Sequence, residues 1–295
     1  NGATNTELAT LAEAMEGAES TVNISNSSYD SISFSVSAQD SLPVGIAFNT
    51  NGTKMFILGD SGDDVNEYNL GTGFDVSTAS YSQSFSVASQ DTNPTDISFN
   101  TDGTKMFVLG YLGQDVNEYT LSTGFDVSTA SFVDSFSIGG QETNPQGLAF
   151  STSGTKMYIV GIIGDSVYEY NLSSAFDVST ASYSQSFSVS AQEDVPQGLT
   201  FSSNGKQMYI VGSSGDSVYQ YNLSTVFDVS TASFVDSFSI SGQDSIPSSI
   251  RLSADNNKMF IVGRTNSTVY QYSIETASYP NQMDKTQLDA VTDPN

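Results

Sequence analysis

The chain is a succession of short apolar runs parted by Gly, Asn, Asp, Ser and Thr. The pattern is clearest between Gln83 and Leu121. "QSFSV" alternates strictly, with Phe85 and Val87 on one side and Ser84 and Ser86 on the other. "PTDISF" alternates large Ile97 and Phe99 with smaller Asp96 and Ser98, whereas "KMFVLG" is apolar throughout. Alternation marks a half-covered strand, and a continuous apolar run marks one covered on both faces. The spacing predicts four strands per unit: outer at Gln83–Val87, inner at Asp96–Asn100, second at Lys105–Leu109 and third at Val116–Leu121. "TDGTK" and "GYLGQD" read as hairpin turns in which Gly supplies positive φ. Helical periodicity is absent from the unit.

The unit recurs. Pro43, Pro94, Pro145, Pro196 and Pro247 are each 51 apart, as are Met55, Met106, Met157, Met208 and Met259, and Tyr68, Tyr119, Tyr170, Tyr221 and Tyr272. Repeated units of four short antiparallel strands describe propeller blades. An outer strand without a blade stands at the start (Ser31–Ser37, "SISFSVS"), and the last unit, ending near Ile274, has no outer strand of its own. The inventory balances as an all-β, five-bladed β-propeller closed by the N-terminal strand, which removes the open edge that would invite aggregation. The alternative is an open arc or a fragment of a longer array.

The stretch "PQGLAFSTSGTKMYIVGIIGDSVYEYNLSS" resembles the lactonase-like (YVTN-type) propeller repeat, with its P-x-G-(I/L)-x-F strand and following turn. The fuller unit ending "FDVSTASF" is similar to arrays in marine phage and marine bacterial proteins of virions and cell surfaces. The resemblance spans Tyr29 to Ser278. It implies the fold and leaves function open, because propellers host many unrelated activities.

The flanks differ in kind. Residues 1–28 hold a capping box (Thr4, Glu7) and an apolar stripe at Leu8, Leu11, Ala12 and Met15, which predict one short amphipathic helix followed by a linker, "TVNISNSSYD". Such a helix is marginal alone and must dock on the propeller or on a partner. Residues 29–278 form the propeller and 279–295 a tail. A start at Asn1 without Met suggests a processed product or a fragment whose signal segment has gone.

Composition narrows the partners. With 33 acidic against 8 basic residues in 295, the net charge is −25, which disfavours nucleic acid and anionic membrane surfaces. No apolar run reaches the ~20 residues that span a bilayer. There is no Cys and no His, so disulfides, thiolate metal sites and the common general base are excluded.

Propeller topology places the outer-to-inner loops and the second-to-third hairpins on one face. That face collects Gln39/Asp40, Gln90/Asp91, Gln141/Glu142, Gln192/Glu193 and Gln243/Asp244, with Asp63, Asp64, Asp115, Asp165 and Asp216. The opposite face carries Lys54, Lys105, Lys156, Lys206 and Lys258. The cluster Asp60, Asp63 and Asp64 is a candidate Ca²⁺ site, since hard cations take several carboxylate oxygens; turn capping and solvation are the other reading. Asp75, Asp126, Asp177 and Asp228 in "FDVSTA" read as Asx-type caps. The copies disagree at few places. Arg251 replaces a small inner-strand residue near the axis, and Arg264 and Asn266 alter a loop of the last blade. Tyr111, Leu112, Ile162 and Ile163 put apolar pairs on two neighbouring hairpin tips, a candidate partner contact.

Three functions compete. Near-identical repetition favours a non-enzymatic structural or adhesive module, a virion or cell-surface appendage component acting extracellularly within a multi-subunit assembly and contacting other appendage proteins or glycans. The second is a propeller lectin repeating a small site of Tyr, Asn and Gln. The third is an enzyme resembling lactonases or glycoside hydrolases, with paired acids at the channel mouth.

Overall fold

The computed structural model describes residues 22–276. Within them, twenty strands form five four-stranded antiparallel sheets. In the first blade these are the inner strand β2 (Pro43–Phe48), β3 (Lys54–Gly59), β4 (Asp64–Leu70) and the outer β5 (Ala79–Ser86). The second blade repeats them as β6 (Pro94–Phe99), β7 (Lys105–Gly110), β8 (Asp115–Leu121) and β9 (Ala130–Ser137), and the third and fourth follow suit. In the last blade β18 (Pro247–Leu252), β19 (Lys258–Gly263) and β20 (Thr268–Thr276) are completed by β1 (Val22–Ser35), giving the order β1-β20-β19-β18. Neighbouring inner strands pack against one another, and β18 meets β2, so the molecule is a closed five-bladed propeller.

Burial follows the pattern along the chain. Each second strand is buried on both faces, and apolar clusters lie between adjacent blades. At every joint but one an aromatic trio spans the interface, as with Phe56, Phe99 and Phe125, whose ring centroids lie 4.5–6.2 Å apart. Phe125 holds φ 58, a left-handed conformation that costs a non-glycine residue about 1–2 kcal/mol. Its N–H donates to Gly103 O at 3.0 Å, and its ring occupies the space a Gly103 Cβ would need.

The joints share one polar device. A buried acceptor on the third strand of each blade receives a backbone N–H from the next: Val127 to Glu67 (3.2 Å), Val178 to Glu118 (3.0 Å), Val229 to Glu169 (3.2 Å) and Val76 to Gln271 (3.2 Å). Lys54, Lys105 and Lys156 pair with those three glutamates at 2.6–2.7 Å and donate onward to the carbonyl of a Phe in the next blade. At the fifth joint the donor is Ile24 of β1, whose N–H reaches Gln220 at 2.7 Å.

Two expectations change. The stretch expected as a linker begins β1, and Asn23-Ile24-Ser25 stands in for the missing fifth "DVS" turn: Asn23 Oδ1 accepts from Ser25 N–H at 2.9 Å as Asp75 Oδ1 accepts from Ser77 N–H at 3.0 Å. Two residues, Asp30 and Ser31, bulge between Tyr29 and Ile32, one more than at the same place in the outer strand of the first blade, with Ser31 at φ 60. The second concerns Lys206, which lies one residue off the repeat; Gln207 occupies the lysine register, opposite Asn222 as Lys156 is opposite Asn171. The helix expected at Leu8, Leu11 and Met15 and the tail 279–295 lie outside the described residues.

Removing residues 1–36 deletes β1 together with the burial of Ile24 and Val36. Those two side chains alone are worth about 3–6 kcal/mol, so the midpoint should fall by about 10 °C or more. Calorimetry and sedimentation check this. A truncated chain that stays monomeric with an unchanged midpoint removes the closure from the account.

Candidate functional site

The inner strands converge so closely that most blades need glycine beside the axis. A Cβ on Gly198 would lie 2.9 Å from Ser249 Cα, and one on Gly45 would lie 3.1 Å from Asp96 Cα. Asp96 and Ser249 are the two non-glycine residues in that ring of five. Two residues further along, the equivalent positions hold Ala47, Ser98, Ala149, Thr200 and Arg251.

Arg251 crosses the axis. Its Nη2 donates to Asp96 Oδ2 (2.9 Å) and to the carbonyls of Ile97 (2.7 Å) and Leu148 (3.1 Å); its Nη1 donates to the carbonyls of Leu199 (3.1 Å) and Ile250 (2.8 Å). These are four of the five equivalent inner-strand carbonyls, so one guanidinium ties blades two to five. Asp96 is fully buried and also accepts from Leu148 N–H (2.9 Å) and Ser249 Oγ (3.1 Å). Burial pushes its carboxyl above the usual range even though Arg251 pulls the other way. Arg251 separates two shallow depressions on the lysine-bearing face, one of 250 Å³ walled by Phe48 and Phe99 and one of 150 Å³ walled by Phe150 and Phe201.

The opposite, loop face differs from expectation in detail. Asp40, Asp91, Glu142, Glu193 and Asp244 lie on it but are buried beneath the hairpins. Asp40 accepts from Leu42 N–H (2.6 Å) and Gly62 N–H (2.8 Å), Asp91 from Asn93 (2.6 Å) and Gly113 (2.7 Å), and the others likewise. These carboxylates hold loops to hairpins. The repeated Gln beside each is half-buried, or exposed in the case of Gln141, and accepts from a buried Tyr hydroxyl, as Gln39 does from Tyr68 at 3.2 Å. Of the four Asp expected as Asx caps, Asp75, Asp126 and Asp228 accept the backbone N–H two residues on, each beside a single turn of 3-10 helix, whereas Asp177 caps no N–H and accepts from Ser179 Oγ at 2.6 Å.

Asp60, Asp63 and Asp64 are half-buried on one hairpin, and the first and last have separate partners. Asp60 accepts from Asn93 Nδ2 at 2.9 Å and Asp64 from Asn66 Nδ2 at 2.7 Å. Among the described residues no three acids converge in an arrangement that could hold a metal ion. Burial raises the Asp60 carboxyl, Arg264 partly offsets this, and the carboxylates of Asp63, Asp40 and Asp91 raise it further. Of the apolar pairs, Tyr111, Leu112 and Ile163 are 37%, 62% and 68% exposed, and Ile162 is half-buried.

Sequence reasoning singled out Arg251 but not its counter-ion. The signal was present: Asp96 stands where three other blades have Gly.

No family model matches this chain, and no curated protein matches it. Among solved structures, the chain is similar to a luciferin-regenerating enzyme at 11% identity, over 84% of this chain and 96% of that one, with a TM-score of 0.50. A candidate 6-phosphogluconolactonase from Bacteroides uniformis follows at 13% identity, over 79% and 68%, with a TM-score of 0.49. A functionally unknown protein from Desulfotomaculum acetoxidans is 13% identical over 75% of this chain, which spans 62% of that protein's length, with a TM-score of 0.47. Likeness at this level is one of propeller fold alone.

Replacing Arg251 by Ala should cost about 3–5 kcal/mol, because it leaves Asp96 buried without its counter-charge. The D96G/R251A double variant, which restores the Gly and Ala of blades one and three, should recover more than half of that loss. The native carboxyl ionises above the unfolded value of 3.8, so its ionisation disfavours the fold as pH rises through the native pKa. The deficit of R251A should therefore be largest at neutral pH and shrink towards acid. Urea titrations of parent, single and double variants across pH read both effects.

Proposed function

We propose that this chain is a non-enzymatic structural module that presents its propeller as a contact surface. Its setting is extracellular, as one component of a virion or a cell-surface appendage, and its partners are other proteins of that assembly. The observation that carries the reading is Arg251. It is the one cationic side chain at the axis among the described residues, and it is engaged by Asp96 and four carbonyl oxygens. Asp40, Asp91, Glu142 and Glu193 on the loop face are likewise committed to backbone N–H groups and the repeated Tyr–Gln pairs to each other, which leaves exposed apolar loop residues as the feature that distinguishes blades. The virion or appendage setting rests on the likeness of the "FDVSTASF" unit to surface and virion arrays.

Assays of 6-phosphogluconolactone and simple lactones should give hydrolysis no faster than buffer. Turnover that R251A abolishes overturns the non-enzymatic reading. Immunogold imaging of native particles and filaments should place label on them; label confined to the cell interior overturns the setting. A glycan array should be silent, and several equivalent weak sites on it would transfer the function to sugar binding.

A further inference from the structure

On the loop face each hairpin begins with an N–H donated to the residue that precedes the inner-strand proline. The pairs are Asp60 with Leu42 (3.0 Å), Tyr111 with Asn93 (3.0 Å), Ile162 with Asn144 (3.1 Å), Ser213 with Val195 (3.2 Å) and Arg264 with Ile246 (3.0 Å). Every pair holds one apolar and one polar residue. Where the hairpin is apolar, in blades two and three, the partner is Asn; where the hairpin is polar, in blades one, four and five, the partner is Leu, Val or Ile. The two apolar hairpins are thus part of a larger figure, in which each blade contributes one apolar side chain to a collar around the axis. Leu42 and Ile246 are 38% and 47% exposed, comparable to Tyr111, and Leu112 and Ile163 extend the collar outward. Folding does not require this. The same pairs close equally well with either order of residues, and among the described residues the apolar member stays exposed at Leu42, Tyr111 and Ile246 and half-buried at Ile162 and Val195.

We propose that this collar is a docking site for a segment of a partner protein that carries apolar residues flanked by Lys or Arg. The inference rests on the contact-module reading and names its partner chemistry. Charge selects the occupant. Outside the collar lie Asp63, Asp64, Asp115, Asp165 and Asp216, and among the described residues Arg264 is the only basic side chain on this face. Burial, and after it the neighbouring carboxylates, raise Asp60, Asp63 and Asp64, although Arg264 offsets part of this at Asp60 and Asn66 and Ser84 offset part of it at Asp64. A second copy would bring acid against acid, and an anionic membrane meets the same repulsion. A basic segment gains attraction at the rim while its apolar residues cover the collar, the usual division between core and rim of an interface.

Fluorescence anisotropy with three synthetic peptides of equal length tests this: one of Lys and Leu, one of Lys and Ser, one of Glu and Leu. The Lys/Leu peptide should bind, more weakly as salt is raised. Its affinity should fall about tenfold or more in the L112S/I163S variant and stay unchanged in V133S, on the outer strand of blade two. Equal binding of the Lys/Ser peptide, or unchanged affinity in L112S/I163S, overturns the collar. So does sedimentation showing a dimer that L112S/I163S dissolves, or flotation with phosphatidylcholine–phosphatidylserine vesicles. None of these readouts involves lactone turnover, so failure of the collar and failure of the non-enzymatic reading remain distinguishable.

Discussion

A ring made from one chain has two ends, and the integrity of this molecule depends on how they are joined. Five wedges can share a core only if every wedge has four strands and every joint its polar clasp. The last blade has neither without the first residues of the chain. β1 therefore has two tasks: to pair along β20, and to offer Ile24 N–H to Gln220 as the turn of an ordinary blade offers Val127 to Glu67. Charge is adjusted to match. In three joints a buried Glu is balanced by Lys. In blade four Gln207 and Gln220 replace both members together, which avoids a buried charge without its partner. In blade five Lys258 has no glutamate, because Gln271 stands there, and Asp30 from the irregular stretch of β1 supplies the carboxylate at 3.2 Å. Burial pushes Asp30 up, but Ser273, Gln271 and Lys258 outweigh this and hold it below the usual range.

The fold was legible because its determinants are repeated. Five copies of one apolar pattern average away the ambiguity that a single short strand would carry. What was lost is also explicable. The outer strands run Ala79–Ser86 rather than starting at Gln83, because their first half is exposed and Ser-rich, so no burial pattern announces it. Reading "TVNIS" as a linker misses the role of Asn23-Ile24-Ser25, because Asn23 replaces Asp and one extra residue displaces it from the period. Lys206 was placed on the lattice by its type, although Gln207 holds the register.

The site was legible in its residues and not in their roles. Asp40 and its equivalents were placed on the correct face, but their spacing to the next proline carried a further message. A carboxylate two residues before a loop N–H can accept from it, and that local bond draws the acid under the hairpin and out of solvent. Composition counts such an acid as surface charge; geometry makes it part of the frame.

Symmetry and function pull against each other in a ring of equal blades, and the axis shows where symmetry must give way. Five equivalent carbonyls brought towards one line need a donor, and no single donor can respect fivefold symmetry. A residue from one blade has to supply it, with its charge balanced from another, and Arg251 with Asp96 meets both needs. The break is thus a requirement of closure, and an unusual residue at such an axis is weak evidence for catalysis. The loop face is under no comparable constraint. Its hairpins close with Asp60, Tyr111, Ile162, Ser213 or Arg264 in the same backbone bond, so the chemistry at those positions is free of the fold. Differences among blades that the fold does not demand are the ones to read as function, and here they leave an apolar collar ringed by acid.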